Sequence, residues 1–391
     1  MDAYICMRPK HIRHLTYVLT FFITLHSALV AYINSSALAR LISPNQVNIV
    51  YTIGFLCAIL ALILVPRLLK KIGDVRSTLL CIGLEIVTLC GLALFPTSPL
   101  FLLFFLLHLV LPSLLILTLD IFLEHASRDD STGSVRGLYL TFLSSAFVIA
   151  PIITGFVLGV SDTYSRVYYL SALVLLPAFL LTLFFFRKFK DATYRQVLFV
   201  DGMEKVLRNK ELRGIFLSNF ILRSFYTIMV IFTPLYLHGE LGISWNIIGL
   251  LFTIMLLPFV LFEFPLGYLA DTRFGEKEIL ALGFFVMGGA TLFLSYIPAH
   301  AFILWAVALF LTRTGASAVE SMNDTYFFKH VNESDTETIA LFRMVEPLAY
   351  VLIPLCVALL FLFIDSHFIF VVLGLSVFLG IPLALNLKDT R

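Results

Sequence analysis

Charged and histidine side chains interrupt several long apolar stretches of this sequence. Arg223, Arg313, Glu85, His26 and His108 each lie well inside such a stretch. A charge at the centre of a lipid bilayer costs about 2.5–3.5 kcal/mol on insertion scales, so each of these residues needs a reason to be there. Arginine can hold a carboxylate by two parallel hydrogen bonds, and glutamate and histidine can carry protons. Structural ion pairing, for instance between Glu85 and an arginine, is the alternative.

Both arginines belong to polar faces that a helix would present on one side. The first face has positions i, i+4, i+7 and i+11 and consists of Arg313, Ser317, Glu320 and Asp324. The second face consists of Asn219, Arg223 and Tyr226. A site for an anionic solute is one interpretation of the two arginines, and structural pairing, with Glu320 within reach of Arg313, is the other. For the two histidines a hydrogen-bonded packing role is favoured over a role in binding.

The composition predicts that these faces lie in a membrane. Of 391 residues, 60% are hydrophobic and 13% are charged, whereas soluble domains have roughly 45–50% apolar and about 25% charged residues. A helix needs ~20 apolar residues to span a bilayer, and backbone polar groups in lipid must be paired within helices or closed barrels. The apolar runs do not alternate as barrel strands do. We therefore expect an all-α membrane protein.

Twelve membrane spans are predicted between the Gly, Pro and charge clusters. They cover roughly 16–39, 44–66, 77–95, 100–124, 136–160, 164–186, 213–237, 244–270, 277–297, 301–328, 338–363 and 367–387. With the N-terminus inside, 23 of the 27 Lys and Arg residues fall in cytoplasmic segments, and only Arg40 and Arg166 fall outside. Cytoplasmic loops are enriched in these residues. We therefore expect both termini in the cytoplasm and the protein in the cell (plasma or inner) membrane.

The chain contains two similar halves. Residues 43–53 and 244–254 open the second and eighth spans and share Ser, Asn, Thr and Ile at matching positions, 201 residues apart. This predicts two parallel six-helix repeats, 1–190 and 213–391. The linker 191–212 has apolar residues at mostly helical spacing among polar ones, which indicates an amphipathic helix on the inner leaflet. A solvated tether is the alternative.

The loop after the eighth span carries a specific motif. Residues 267–277 read GYLADTRFGEK, which resembles the loop signature GxxxDRxGRR of the major facilitator superfamily, with one extra residue between Asp271 and Arg273. Glu276 stands where that family has a basic residue. A carboxylate at this helix mouth could cap a neighbouring helix N-terminus and favour one packing of the halves, so Asp271 and Arg273 are candidate gate residues.

The resemblance implies a secondary transporter whose cavity is lined by spans 1, 4, 7 and 10. It makes candidate cavity residues of Arg223, Arg313, His26, His108, Asn219, Tyr226 and Glu320. Two acidic pairs lie near the cytoplasmic ends of spans 4 and 10, close to the basic loops after spans 2 and 8. We interpret these pairs, together with two arginines at matching places in the halves, as gate residues: Asp120, Glu124, Glu320, Asp324, Arg136 and Arg343.

The expected function is movement of a small solute by alternating access, with proton coupling and an anionic solute as open options. A transporter-like sensor or scaffold and a membrane-embedded lipid-modifying enzyme are the alternatives. No HExxH, GxSxG, CxxC or Cys/His cluster occurs, so we expect no enzyme activity, catalytic residues, metal or cofactor. The net charge of +2, without a basic stripe, indicates no nucleic-acid partner. We expect a monomer in the lipid bilayer.

Overall fold

A computed structural model describes residues 9–31, 33–38, 40–42, 44–127, 132–158, 163–186, 189, 199–243, 245–332, 335–365 and 368–388. These residues form fifteen α-helices and one π-helical turn, Tyr236–Glu240, at the end of α9. The helices are α1 Pro9–Ala31, α2 Asn34–Leu38, α3 Pro44–Ile72, α4 Asp74–Leu94, α5 Leu100–His125, α6 Thr132–Leu158, α7 Tyr164–Phe185, α8 Phe199–Arg208, α9 Lys210–Leu235, α10 Trp245–Thr272, α11 Glu276–Leu294, α12 Phe302–Phe328, α13 Thr336–Leu360, α14 Ile369–Phe378 and α15 Gly380–Leu385. The predicted all-α fold is confirmed.

Eleven of the described helices are long and apolar enough to cross a membrane. The last predicted span, 367–387, is instead divided into α14 and α15. Gly380 follows the break, and a Cβ at this position would lie 2.5 Å from the ring of Phe284. Pro382 is the third residue of α15, where its missing N–H is tolerated. Close packing against Phe284 therefore requires a glycine at the start of α15.

The membrane-facing surface is apolar, as a lipid environment requires. Exposed side chains of α6 include Ile152 and Phe156, which are 69% and 89% exposed. In α8, which lies in the linker, Val200, Met203 and Leu207 are exposed at spacings of three and four residues. These three side chains form one apolar face of a helix whose last turn contains Lys205 and Arg208.

The chain forms two compact units, each with its own core. Unit 1 comprises 1–128, 145–203 and 331–347, and unit 2 comprises 129–144, 204–330 and 348–391. In unit 1, α4 packs on α5 and α7, and α1 packs on the same two helices. In unit 2, α12 packs on α9, α10 and α11. The start of α6 thus belongs with helices of the second sequence half, and the start of α13 with helices of the first.

Candidate functional site

A cluster of charged and aromatic side chains lies between α9 and α12 in unit 2. The Nη2 atom of Arg223 lies 3.0 Å from Oε1 of Glu320, and the hydroxyl of Tyr226 donates a 2.7 Å hydrogen bond to Oε2 of the same carboxylate. The guanidinium of Arg313 lies 5.1 Å and 5.3 Å from the ring centroids of Phe225 and Tyr226. Both polar faces that helical spacing predicted therefore meet at one place.

This cluster is shielded from solvent. Arg313 is 2% exposed and Arg223 is 9% exposed. Asn219, one turn before Arg223, is also buried. The ion-pair partner of Glu320 is thus Arg223, whereas the sequence had suggested Arg313 as a partner within reach. A guanidinium presents planar N–H donors at its edge and an apolar face to aromatic rings, so the cluster has the chemistry to bind a carboxylate.

The suggested pairing of Glu85 with an arginine is wrong. Oε1 of Glu85 lies 2.5 Å from Nδ1 of His108 and 3.4 Å from Nε2 of His26, all within unit 1. The three residues are buried, and they come from α4, α5 and α1. The reason is that α4 turns this face toward neighbours that carry imidazoles, so the carboxylate finds its partners inside its own bundle. Both histidines face Glu85, which accords with a hydrogen-bonded packing role.

The Asp271 carboxylate lies at the N-terminal end of α6. It accepts hydrogen bonds from the backbone N–H groups of Gly133 and Ser134, at 3.1 Å and 2.7 Å, and from the Ser134 hydroxyl at 2.9 Å. The first N–H groups of a helix have no partner within the helix, and the helix dipole favours a negative charge there. Nζ of Lys329 lies 3.5 Å from Asp271.

Glu276 takes part in the same arrangement although it replaces a basic residue of the motif. Its carboxylate lies 2.5 Å from Nζ of Lys329, so one lysine serves both acids. Arg273 is exposed at the end of α10. The charge at position 276 is therefore reversed but has a cation from α12 beside it.

Small residues bring the backbones of α6 and α10 together next to Asp271. A Cβ on Gly133 would lie 2.5 Å from the carbonyl oxygen of Gly267, and a Cβ on Gly137 would lie 2.6 Å from that of Glu263. Real Cβ atoms do not approach backbone atoms so closely, so both positions need glycine for this crossing.

A second ion pair joins α5 and α13 in unit 1. Nε and Nη2 of Arg343 donate to the two oxygens of Asp120 at 2.6 Å and 2.9 Å. An arginine that binds Asp120 thus comes from α13. Glu124 is half-buried one turn later. This two-pronged bond fixes both side chains in one geometry.

The other predicted gate residues, Arg136 and Asp324, are buried in unit 2. The guanidinium of Arg136 lies 3.1 Å from the ring centroid of Phe328 at the end of α12. Asp324 lies on α12, one turn beyond Glu320. The structure therefore separates the predicted gate residues into the Asp271 group, the Asp120 pair and this buried group.

Glu263 is a buried carboxylate that the sequence analysis missed. It is 0% exposed in α10, and Ser144 of α6 donates a 3.0 Å hydrogen bond to its Oε2 atom. The hydroxyl of Ser321 donates a 3.3 Å hydrogen bond to the backbone oxygen of Glu263. The available signal was an acidic residue within the apolar run 250–272, which is as clear as the signal for Glu85.

Within the described part of the chain, no group of three or more His, Cys, Asp and Glu residues has a geometry that could hold a metal ion. The described cysteines, Cys57, Cys81, Cys90 and Cys356, are free thiols.

Comparisons with known proteins identify the family. The chain resembles the crystal structure of the human organic anion transporter MFSD10 (TETRAN), with a TM-score of 0.76, 12% identity and coverage of 96% of this chain and 99% of that one. It resembles equally a bacterial homologue of the iron transporter ferroportin in an outward-facing state, with a TM-score of 0.76, 12% identity and coverage of 96% and 98%. A search among curated proteins finds no match. The family model described as Major Facilitator Superfamily matches residues 16–212 and 215–391, and the chain therefore belongs to that superfamily.

Proposed function

We propose that this membrane transporter moves a small organic anion by alternating access, with protons as the coupling ion and the cluster between α9 and α12 as the anion site. The observation that carries the proposal is the pair of buried guanidiniums of Arg223 and Arg313 within one bundle, which both lie near the ring of Tyr226. Neither guanidinium can lose its charge at physiological pH.

Glu320 gives the site a means of exchange. Its carboxylate already occupies the edge of Arg223 at 3.0 Å, so an arriving carboxylate can replace it there and keep Arg223 matched by an anion. Tyr226 holds the other oxygen of Glu320 and can follow either acid. The structural neighbour named as an organic anion transporter has the same fold, and this supports the class of solute without fixing its identity.

The test is uptake into proteoliposomes of radiolabelled benzoate, succinate and inorganic phosphate as probe anions. We expect Arg223→Lys and Arg313→Lys to reduce uptake and the alanine variants to reduce it further, because lysine keeps the charge but not the planar fork. Arg76→Ala, an exposed arginine outside the cluster, is the matched control and should transport like the wild type. Normal uptake by folded Arg223→Ala and Arg313→Ala variants would make these arginines structural.

We further propose that both termini and the linker face the cytoplasm of a cell (plasma or inner) membrane and that the protein is a monomer. The support for the orientation is the basic bias of 23 residues against two. A cysteine at Val200, which is 66% exposed on α8, should react with a membrane-impermeant thiol reagent only from the cytoplasmic side. Labelling from the opposite side would overturn the orientation.

A further inference from the structure

The carboxyl group of Glu263 lies in a position where a negative charge has little support. It is fully buried, and the hydroxyl of Ser144 is its one hydrogen-bond partner among the residues that the structure describes. Oε1 has no hydrogen-bond partner in that part of the chain. The neighbouring Glu320 forms an ion pair with Arg223, whereas the described residues include no ion pair with Glu263.

The groups around this part of α10 make ionisation still less favourable. The titratable and charged groups in the neighbouring parts of the packed helices include Glu320, Asp324 and Arg313 on α12, Arg223 and Tyr226 on α9, and Arg136 and Tyr139 on α6. Ser321, whose hydroxyl donates to the backbone oxygen of Glu263, lies between the two acids on α12, so they add negative charge on this side of Glu263. The guanidiniums lie against other groups, Arg223 on Glu320, Arg136 over Phe328 and Arg313 over the aromatic rings. A buried carboxyl group without a cation takes up a proton rather than remain charged.

The burial of this group depends on the crossing of α6 and α10. Ser144 and Gly137 both belong to the start of α6, and Gly137 lies directly against the backbone of Glu263. The two helices are thus in backbone contact beside Glu263, which is 0% exposed. Any movement that separates this segment from α10 removes the hydroxyl partner and admits water to the carboxyl group.

We propose that Glu263 is a proton-binding site, which holds a proton while the start of α6 packs on α10 and releases it to water when that packing opens. The role of this site rests on the proposed function, because the site would couple protons to transport. The reaction is a simple proton transfer from the carboxyl oxygen to water, which leaves a solvated carboxylate and a hydrated proton.

Infrared difference spectroscopy on the purified full chain in nanodiscs tests the protonation directly and needs no solute. At neutral pH we expect a carboxylic acid C=O band that Glu263→Gln removes and Glu278→Gln, an exposed acid at the start of α11, retains. Ser144→Ala should move the same band to higher frequency, because the carbonyl loses its hydrogen bond. If Glu263→Gln removes no acid band, Glu263 is ionised and the proposal is overturned.

Hydrogen exchange tests the link to packing. With exchange times corrected for the intrinsic effect of pH, peptides covering 132–144 in the wild type should lose protection as pH rises. Glu263→Gln, which has the shape of the protonated acid and cannot ionise, should keep that protection at every pH, and Glu278→Gln should behave like the wild type. An unchanged pH dependence in Glu263→Gln would overturn the link. Both measurements stand whether or not a probe anion is transported, so their failure is distinct from failure of the proposed function.

Discussion

Asp271→Asn should weaken the attachment of α6 to the end of α10 while leaving the fold intact. The asparagine keeps one oxygen that can accept a hydrogen bond, but the three donors from Gly133 and Ser134 then meet a neutral amide. Hydrogen bonds to a charged group contribute about 1.5–3 kcal/mol and neutral ones about 0.5–1.5 kcal/mol. Lys329 retains Glu276 at 2.5 Å, so no buried cation is left unmatched.

We expect a net loss of about 2 kcal/mol in this attachment, which is roughly a thirty-fold change in the balance between attached and detached segments. Because alternating access needs both arrangements in balance, uptake of the probe anion should fall several-fold at normal expression. Hydrogen exchange over 132–144 should become faster in the same variant. Both results are measured on one protein preparation, which separates loss of attachment from loss of protein.

Asp365→Asn is the matched control, since it removes the same charge from an exposed position. This control should change neither uptake nor exchange. If Asp271→Asn shows the uptake and exchange of the wild type, the charge of Asp271 is dispensable and the hydrogen bonds to α6 contribute nothing to transport.

Three further predictions concern packing. Gly133→Ala should impair uptake and speed exchange over 132–144 because its Cβ would lie 2.5 Å from the Gly267 carbonyl, whereas Gly289→Ala, with open space around it, should behave like the wild type in both assays. Glu85→Gln should lower stability by about 1.5–3 kcal/mol, since the buried bond to His108 loses its charge, and thermal unfolding in detergent at neutral pH measures this; an unchanged midpoint would contradict it. Tyr326→Phe should lower the free energy of unfolding by about 0.5–1.5 kcal/mol, because the hydroxyl donates to Glu211 and to the Lys388 carbonyl. Protease should then cleave the C-terminal segment more easily, and equal cleavage would show that these bonds do not hold the segment.

The helices were predictable because two independent signals define them. Lipid demands long apolar runs, and the distribution of Lys and Arg divides these runs by side. The loop motif at 267–277 added a family and therefore a fold. The need for a glycine at position 380 could not be predicted, because it depends on the close approach of Gly380 to the ring of Phe284, which is distant in sequence.

Helical spacing predicted which polar residues share a face but not which neighbour that face meets. Arg223 and Tyr226 do share a face, and so do Arg313 and Glu320, yet Arg223 holds Glu320. Successive residues of a helix point about 100° apart, and the angle at which two helices cross decides which of these residues meet. A small change in the crossing angle therefore exchanges one partner for another. Glu85 shows the same limit, since imidazoles on α5 and α1 occupy the place that the sequence assigned to an arginine.

Glu263 shows that a buried acid need not have an oppositely charged partner among the described residues. Glu85 attracted attention because a charge in an apolar run suggests an oppositely charged partner, and Glu263 met the same criterion without one. Its described surroundings include a serine hydroxyl and a glycine backbone, and Ser321, which lies between two further acids on α12, contacts its backbone oxygen. A buried acid without a cation favours its neutral form, and a neutral acid holds one proton. On the proposal above, Glu263 is the residue through which pH acts on the crossing of α6 and α10, while the arginine pairs of Asp120 and Glu320 hold geometry.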